Sequence, residues 1–231
     1  PPPPMKPRVI VLEDEPDIAE LIAQALQREG CTVERFEDGL AGLAAVQAKR
    51  PELLVLDLMM PGMDGLSVCR ELRRERSTRD LPILIVSARS EEADVVCGLE
   101  LGADDYVTKP FSPRVLAARA KNLLRRTPSA PAEPGKGDRL VVGEIELDLP
   151  RFEVKVRGER VDLTRTEFRI LQFLCGKPGR VRARAEILEF VEGGPSLDRT
   201  VDVHIASLRR KLGSEGELIE TVRGVGYRMR D

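Results

Sequence analysis

The chain has 231 residues but a single histidine, and its apolar residues are never gathered into a long run. No stretch approaches the roughly 20 apolar residues needed to cross a bilayer. No signal-peptide pattern is present, so the expectation is a cytoplasmic protein without a membrane partner. Cys31, Cys69, Cys97 and Cys175 lie far apart and make no C-x-x-C pair. Each has apolar neighbours, which predicts four buried free thiols rather than a disulfide or a metal site. The lone histidine, His204, falls in a basic helical stretch, and there is no glycine-rich nucleotide loop, which argues against a histidine kinase or phosphotransfer module. Net charge selects no partner either. Residues 1–127 hold 18 Lys/Arg against 21 Asp/Glu, and residues 128–231 hold 19 against 18. Nucleic-acid binding has to be argued from local patches. Pro1 to Pro4 read as an extended tail, with the working chain beginning near Met5 or Lys6.

What is present centres on Val55–Gly65, V-L-D-L-M-M-P-G-M-D-G. Leu53 to Leu56 form a short apolar run, the pattern of a buried strand, which stops on Asp57. Pro61, Gly62 and Gly65 punctuate a turn, and Asp64 is placed to cap the next helix. Asp57 either only caps this turn or sits at a strand end where open α/β sheets build their sites.

The rest of the first half bears on that choice. Strand-like runs at Arg8–Leu12, Cys31–Arg35, Leu53–Leu56, Pro82–Val86 and Ala103–Val107 alternate with helical patterns, the fourth over Glu91–Glu100 and the fifth over Pro113–Arg126. Five β-α units predict an α/β fold, a doubly wound five-stranded parallel sheet covered on both faces. Parallel strands end on the same edge, so Glu13, Asp14, Asp57, Ser87 and Lys109 converge. Close carboxylates raise one another's pKa values unless a cation sits among them. Oxygen ligands suit Mg²⁺. With Mg²⁺, Asp57 can act as a nucleophile on a phosphoryl group, while Lys109 and Ser87 hold the oxygens of the product.

The half resembles the receiver domain of two-component response regulators. The matching segments are V-L-E-D-E (11–15), residues 55–65, V-S-A-R (86–89) and A-D-D-Y-V-T-K-P-F (103–111). The resemblance implies that Asp57 takes phosphate from a sensor histidine kinase. It implies Glu13, Asp14, Asp57 and the Met59 carbonyl as Mg²⁺ ligands, and Ser87 against the phosphoryl group. It also implies Lys109 as charge partner with a cis Lys109–Pro110 bond, and Tyr106 turned inward; the alternative for Tyr106 is a plain half-buried strand aromatic. A haloacid-dehalogenase-type phosphohydrolase also uses a strand-end Asp with Mg²⁺, but it carries a second Asp two residues on, where this chain has Met59.

Thr127–Asp138, T-P-S-A-P-A-E-P-G-K-G-D, reads as a linker between a receiver at residues 6–126 and a second domain at 139–231. Leu140–Leu163 alternates in short runs, predicting a small antiparallel sheet. Thr164 and Glu167 have capping-box spacing before a helix lined by Phe168, Leu171 and Leu174. A short helix over Arg184–Phe190 follows, then a break at Gly193-Gly194-Pro195, then a helix over Ser196–Leu212 with Val201, Ile205, Leu208 and Leu212 on one face. Its other sides are basic, and a hairpin tipped by Arg223-Gly224-Val225-Gly226 follows. A basic helix beside a basic hairpin suits major-groove entry with an arm on the neighbouring backbone. The charges alone favour a solvated helix face.

L-T-R-T-E-F-R-I-L (163–171), D-R-T-V-D-V-H-I (198–205), L-R-R-K-L (208–212) and V-R-G-V-G-Y-R-M (222–229) are similar to the winged-helix, α+β output domain of the OmpR/PhoB class. That resemblance implies DNA contacts from Arg199, Thr200, Val203, His204 and Arg209 on the helix, and from Thr221, Arg223 and Tyr227 on the wing. It implies a homodimer when phosphorylated, bound to double-stranded DNA at direct-repeat half-sites, and it admits RNA polymerase as a further partner. A rival output is a second half that binds protein, not DNA. Two departures stand out. Ser207 occupies a position where the family often has Arg. Glu192-Gly193 replaces a frequent Trp-Gly, which counts against polymerase contact through that loop. For the dimer, Glu100, Asp104 and Asp105 are expected to face Arg119 and Lys121. A family charge pair falls on Val95 and Val115, where a hydrophobic contact is expected instead.

Overall fold

The structure is a computed structural model. It describes residues 6–89, 92–124, 139–192 and 199–231, the side chains at 92, 192, 199 and 200 excepted. The expected linker, the Gly193-Gly194-Pro195 break with the glycine of the Glu192-Gly193 departure, and the Pro1–Pro4 tail lie outside these residues. The chain divides into two compact units, residues 1–127 and 128–231. Among the described residues no helix is long and apolar enough to cross a membrane.

The first unit alternates strands and helices: β1 (Arg8–Leu12), α1 (Pro16–Arg28), β2 (Thr32–Phe36), α2 (Gly39–Lys49), β3 (Leu53–Leu56), α3 (Gly65–Arg74), β4 (Ile83–Ser87), α4 (Glu92–Glu100), β5 (Asp105–Thr108) and α5 (Pro113–Leu124). The strands form one sheet in the order β2-β1-β3-β4-β5, with every pairing parallel. Its central strands are apolar at successive positions because both faces are covered. Successive side chains point to opposite faces. Val9, Val11, Leu53, Val55, Leu84 and Val86 pack in one cluster with Ile22, Leu26 and Leu116. Their neighbours Ile10, Leu12, Leu54, Leu56, Ile83 and Ile85 are equally buried.

Several local expectations hold. The Asp64 carboxylate caps α3, accepting from the Ser67 amide at 3.0 Å and from its hydroxyl at 2.7 Å. Gly65 is dictated by closeness, since a Cβ there would lie 2.2 Å from the Asp57 carbonyl oxygen. The start of α3 therefore packs directly on the loop that carries Asp57. Two expectations are corrected. Strand β5 begins at Asp105, not Ala103. Cys31, Cys69 and Cys175 are buried, but Cys97 is exposed.

The second unit opens with a four-stranded antiparallel meander of β6 (Arg139–Val142), β7 (Ile145–Asp148), β8 (Glu153–Val156) and β9 (Glu159–Val161). Helix α6 (Arg165–Cys175) starts with the expected capping box between Thr164 and Glu167. Then come β10 (Arg182–Ala183), α7 (Arg184–Glu192), α8 (Arg199–Leu212), a 3₁₀ segment (Gly213–Leu218), β11 (Ile219–Val222) and β12 (Gly226–Met229). Strands β10, β12 and β11 form a second antiparallel sheet in that order. Phe168, Leu171, Leu174, Ile187, Ile205 and Leu208 are among the side chains of a core cluster that joins these elements. The two-residue β10 and the 3₁₀ segment were not expected from the sequence. Both are too short to impose a periodicity.

Candidate functional site

Four strand ends of the first sheet deliver polar groups to one edge. Glu13 follows β1, Asp57 follows β3, Ser87 ends β4 and Lys109 follows β5. Glu13, Asp57 and Ser87 are buried. Lys109 Nζ donates to Asp57 Oδ2 at 2.7 Å, to Glu13 Oε1 at 2.8 Å and to Glu15 Oε1 at 3.3 Å. The other Asp57 oxygen accepts from the Met59 amide at 3.0 Å. The Lys109 amide donates to the Ser87 carbonyl at 2.8 Å, and the Lys109–Pro110 bond is cis as expected.

Glu13, Asp14 and Asp57 each bring a carboxylate oxygen within 4.8 Å of the others. Burial, reinforced by Asp57 and opposed by Lys109, pushes the Glu13 carboxyl up to about 7. Burial would lower the Lys109 ammonium, but its hydrogen bonds to Asp57 and Glu13 outweigh this and raise it. Glu13 Oε2 is buried without a hydrogen-bond partner. An unsatisfied carboxylate oxygen in a group of three is relieved by a small hard cation, and an all-oxygen donor set fits Mg²⁺.

Tyr106 is buried, and its hydroxyl donates to the Arg89 carbonyl at 2.7 Å. Burial pushes that phenol up to about 12. Arg89 folds back over Met59, its Nε 3.2 Å from the sulfur. Met59 is itself largely exposed.

On the α4, β5 and α5 side, Arg119 meets both carboxylate oxygens of Asp105 at 2.7 Å within the chain. Lys121 is held by Glu29 at 2.8 Å, and Glu100 is exposed. Val115 is exposed and Val95 partly so. Asp104 turns inward. It is buried, paired with Arg73 at 3.1 Å and accepting from the Ile83 amide at 3.0 Å. Neighbouring residues entering a strand point to opposite sides, so Asp105, although also buried, lies toward Arg119 while Asp104 lies toward Arg73. Arg73, which the sequence reading passed over, also donates to the carbonyls of Gly102, Arg79 and Leu81.

In the second unit Arg199 and Thr200 open α8, but their side chains lie outside those described. Val203 is partly exposed, and Thr221 and Arg223 are exposed on the hairpin of β11 and β12. Arg209 donates to the Ile219 carbonyl and to the Thr221 hydroxyl, the latter at 2.9 Å. Two residues expected at the DNA are buried in the free chain. His204 is buried, because it stands three residues after Val201 and four before Leu208 and so joins their apolar stripe. Tyr227 is buried as well, with its hydroxyl on Asp202 at 2.7 Å. Ser207, where an exposed contact was in question, is buried and donates to Glu167 at 2.7 Å. Arg184 and Asp202 were not singled out, since a lone Arg or Asp carries no spacing signal.

Comparison with known proteins agrees with both halves. Residues 9–121 match the response regulator receiver domain family, and residues 158–229 match the family described as transcriptional regulatory protein, C terminal. The DNA-binding response regulator MtrA of Mycolicibacterium smegmatis is 42% identical over 229 residues, covering 97% of each chain. The transcriptional regulatory protein CseB of Streptomyces avermitilis is 44% identical over 233 residues, covering 96% of this chain and 97% of its own. Among solved structures, the response regulator DrrB of Thermotoga maritima, an OmpR/PhoB homologue, is 31% identical, covers 98% of this chain and 100% of its own, and superposes with a TM-score of 0.52. With relatives of this kind matched along nearly its whole length, the chain belongs to the DNA-binding response regulators, a receiver domain followed by a winged-helix output domain.

Proposed function

We propose that Asp57 is the phosphoacceptor and that its modification controls DNA binding in a cytoplasmic transcription regulator, not an enzyme. The observation that carries this is the Asp57 carboxylate held by Lys109 at 2.7 Å with Glu13 and Asp14 beside it. Glu13, Asp14, Asp57 and the Met59 carbonyl would hold Mg²⁺. When bound, the ion neutralises charge on the transferring phosphoryl group and orients it. An Asp57 oxygen forms the new O–P bond as the N–P bond of a sensor kinase's phosphohistidine breaks, and the imidazole keeps the electron pair and takes up a proton. Lys109 and the Ser87 hydroxyl then face the phosphoryl oxygens, and Tyr106 packs behind them.

The phosphorylated receiver, residues 6–126, pairs through α4, β5 and α5, using Glu100, Asp105, Arg119 and Lys121, with Val95 against Val115. Residues 127–138 link it to the output domain, residues 139–231. Arg199, Thr200, Val203, Arg209, Thr221 and Arg223 contact DNA. Two tethered domains occupy direct-repeat half-sites about 10–11 base pairs apart. Tethering raises the effective concentration of the second domain, so phosphorylation tightens binding without a new DNA contact.

Intact mass after acetyl phosphate, with and without a chelator, tests the acceptor. One phosphoryl group is expected, dependent on Mg²⁺ and lost in Asp57→Ala. Uptake that persists in that variant overturns the assignment. Footprints of the phosphorylated chain test the output, where a single protected half-site counts against paired binding.

A further inference from the structure

Helix α8 carries one acidic residue, Asp202, against Arg199, Arg209, Arg210 and Lys211. An acid on a helix that meets DNA repels the phosphates, and in isolation it weakens binding. Its side chain is 46% exposed yet engaged twice. Asp202 Oδ1 accepts from the Tyr227 hydroxyl at 2.7 Å and from Arg184 Nε at 2.7 Å, and Oδ2 accepts from Arg184 Nη2 at 3.4 Å. Arg184 is the first residue of α7, and its guanidinium lies 5.0 Å from the centre of the Tyr227 ring. The Arg209 guanidinium lies 5.8 Å from that same ring and is tied to β11 through Ile219 and Thr221. Three elements, α7, α8 and the β11–β12 hairpin, thus meet at one carboxylate. The effect on its partners is consistent with this. Asp202 raises the Arg184 guanidinium, and burial followed by Asp202 raises the Tyr227 phenol, so both remain donors.

We propose that Asp202 is a positioning residue for DNA binding, holding Arg184 and Tyr227, and through them the hairpin, in register with α8 so that Arg184 meets a backbone phosphate beside the groove α8 enters. This rests on the DNA-contact reading above and adds Arg184 and Asp202 to it. A guanidinium held at Nε has lost its rotamer freedom before DNA arrives, which lowers the ordering cost of the contact. The local loss of positive field is outweighed by a donor already aimed.

The sign of one substitution separates this role from a solvated acid. The full chain, treated with acetyl phosphate and Mg²⁺, is titrated by fluorescence anisotropy against a duplex that the wild type enriches from a random-sequence pool, over a series of salt concentrations. Asp202→Ala is expected to weaken binding about tenfold and to flatten the salt slope by about one, the loss of one phosphate contact. Asp202→Asn keeps an acceptor for Tyr227 and falls between. Arg184→Ala shows a similar loss, and the double variant loses less than the sum because the two residues act as a unit. Circular dichroism melting, expected to be near wild type at this exposed site, separates misfolding from misplacement. Binding by Asp202→Ala that equals or exceeds wild type overturns the inference, as do losses that simply add. If Arg199→Ala and Arg223→Ala also bind as wild type does, the DNA-contact reading falls with it; if those two are weakened, only the role of Asp202 falls.

Discussion

Each unit buries one glutamate beside a lysine, and the two are treated in opposite ways. Glu13 in the receiver shares one oxygen with Lys109 at 2.8 Å, lies next to Asp57 and leaves its other oxygen without a partner. Glu167 in the output domain has both oxygens engaged. Oε2 accepts from the Thr164 amide at 2.7 Å and Lys211 at 2.6 Å, and Oε1 accepts from the Ser207 hydroxyl at 2.7 Å. Burial acts on both. In Glu13 it wins and the carboxyl rises to about 7. In Glu167 it would also raise the value, but Lys211, Ser207 and the Thr164 amide overcome it and hold the carboxyl below 4.5. A buried charge with every bond made belongs to the fold. One with an oxygen left over and a like charge beside it is arranged for something that arrives from outside.

The largest test of this contrast is Glu167→Ala. It leaves the buried Ser207 hydroxyl without its acceptor and the buried Thr164 amide unbonded, which should destabilise the output domain by about 3 kcal/mol. Calorimetry of the full chain should show one transition shifted down and the receiver transition in place. A shift of both would mean that the units do not unfold separately. The same carboxylate sets a pH dependence. Its folded value is depressed, so its contribution is fully present above the unfolded value near 4.5 and is lost as pH falls through the lower folded value. In Glu167→Gln that acid-side slope should shrink.

A smaller effect is expected from Glu13→Gln. Removing one of two adjacent negative charges should leave receiver stability within about 1 kcal/mol. Titration calorimetry should instead find Mg²⁺ affinity reduced about tenfold or more. A variant that lost stability but not Mg²⁺ affinity would make Glu13 a second Glu167 and erase the distinction. Val95→Glu places a charge on the apolar pair expected at the dimer face, and sedimentation of the phosphorylated chain should show a weaker dimer. The smallest effect belongs to Lys121→Ala. Its ion pair with Glu29 leaves the lysine 64% exposed, and such pairs contribute at most about 0.5 kcal/mol by thermal melting.

Much of this was legible in the order of residues, and the reasons differ by site. The acidic cluster was readable because a parallel sheet sends every strand end to one edge, so Glu13, Asp57, Ser87 and Lys109 could be placed together from four short motifs. The capping box at Thr164 and Glu167 was readable because it is local. The second role of Glu167, as the acceptor for Ser207 and Lys211, was not, since those partners lie some forty residues away. His204 was placed at the DNA by the family resemblance, whereas its spacing from Val201 and Leu208 puts it among the buried side chains of the free chain. Asp104 was placed on the dimer face by the family register, but in the fold it turns inward onto Arg73 and the Ile83 amide. Arg73 was invisible, since its carbonyl partners Gly102, Arg79 and Leu81 are backbone groups brought together only by the finished fold.

The uneven burial of the four cysteines makes the native chain its own reporter. Burial lifts the thiols of Cys31, Cys69 and Cys175, the last to about 12, so at neutral pH they offer almost no thiolate to an alkylating dye. Cys97 is exposed on α4. A maleimide fluorophore would therefore attach at one place without any engineered residue. If two receivers pair through that face, donor and acceptor copies mixed in one tube would begin to exchange energy when acetyl phosphate is added, and the approach of two molecules could be followed in real time by colour alone.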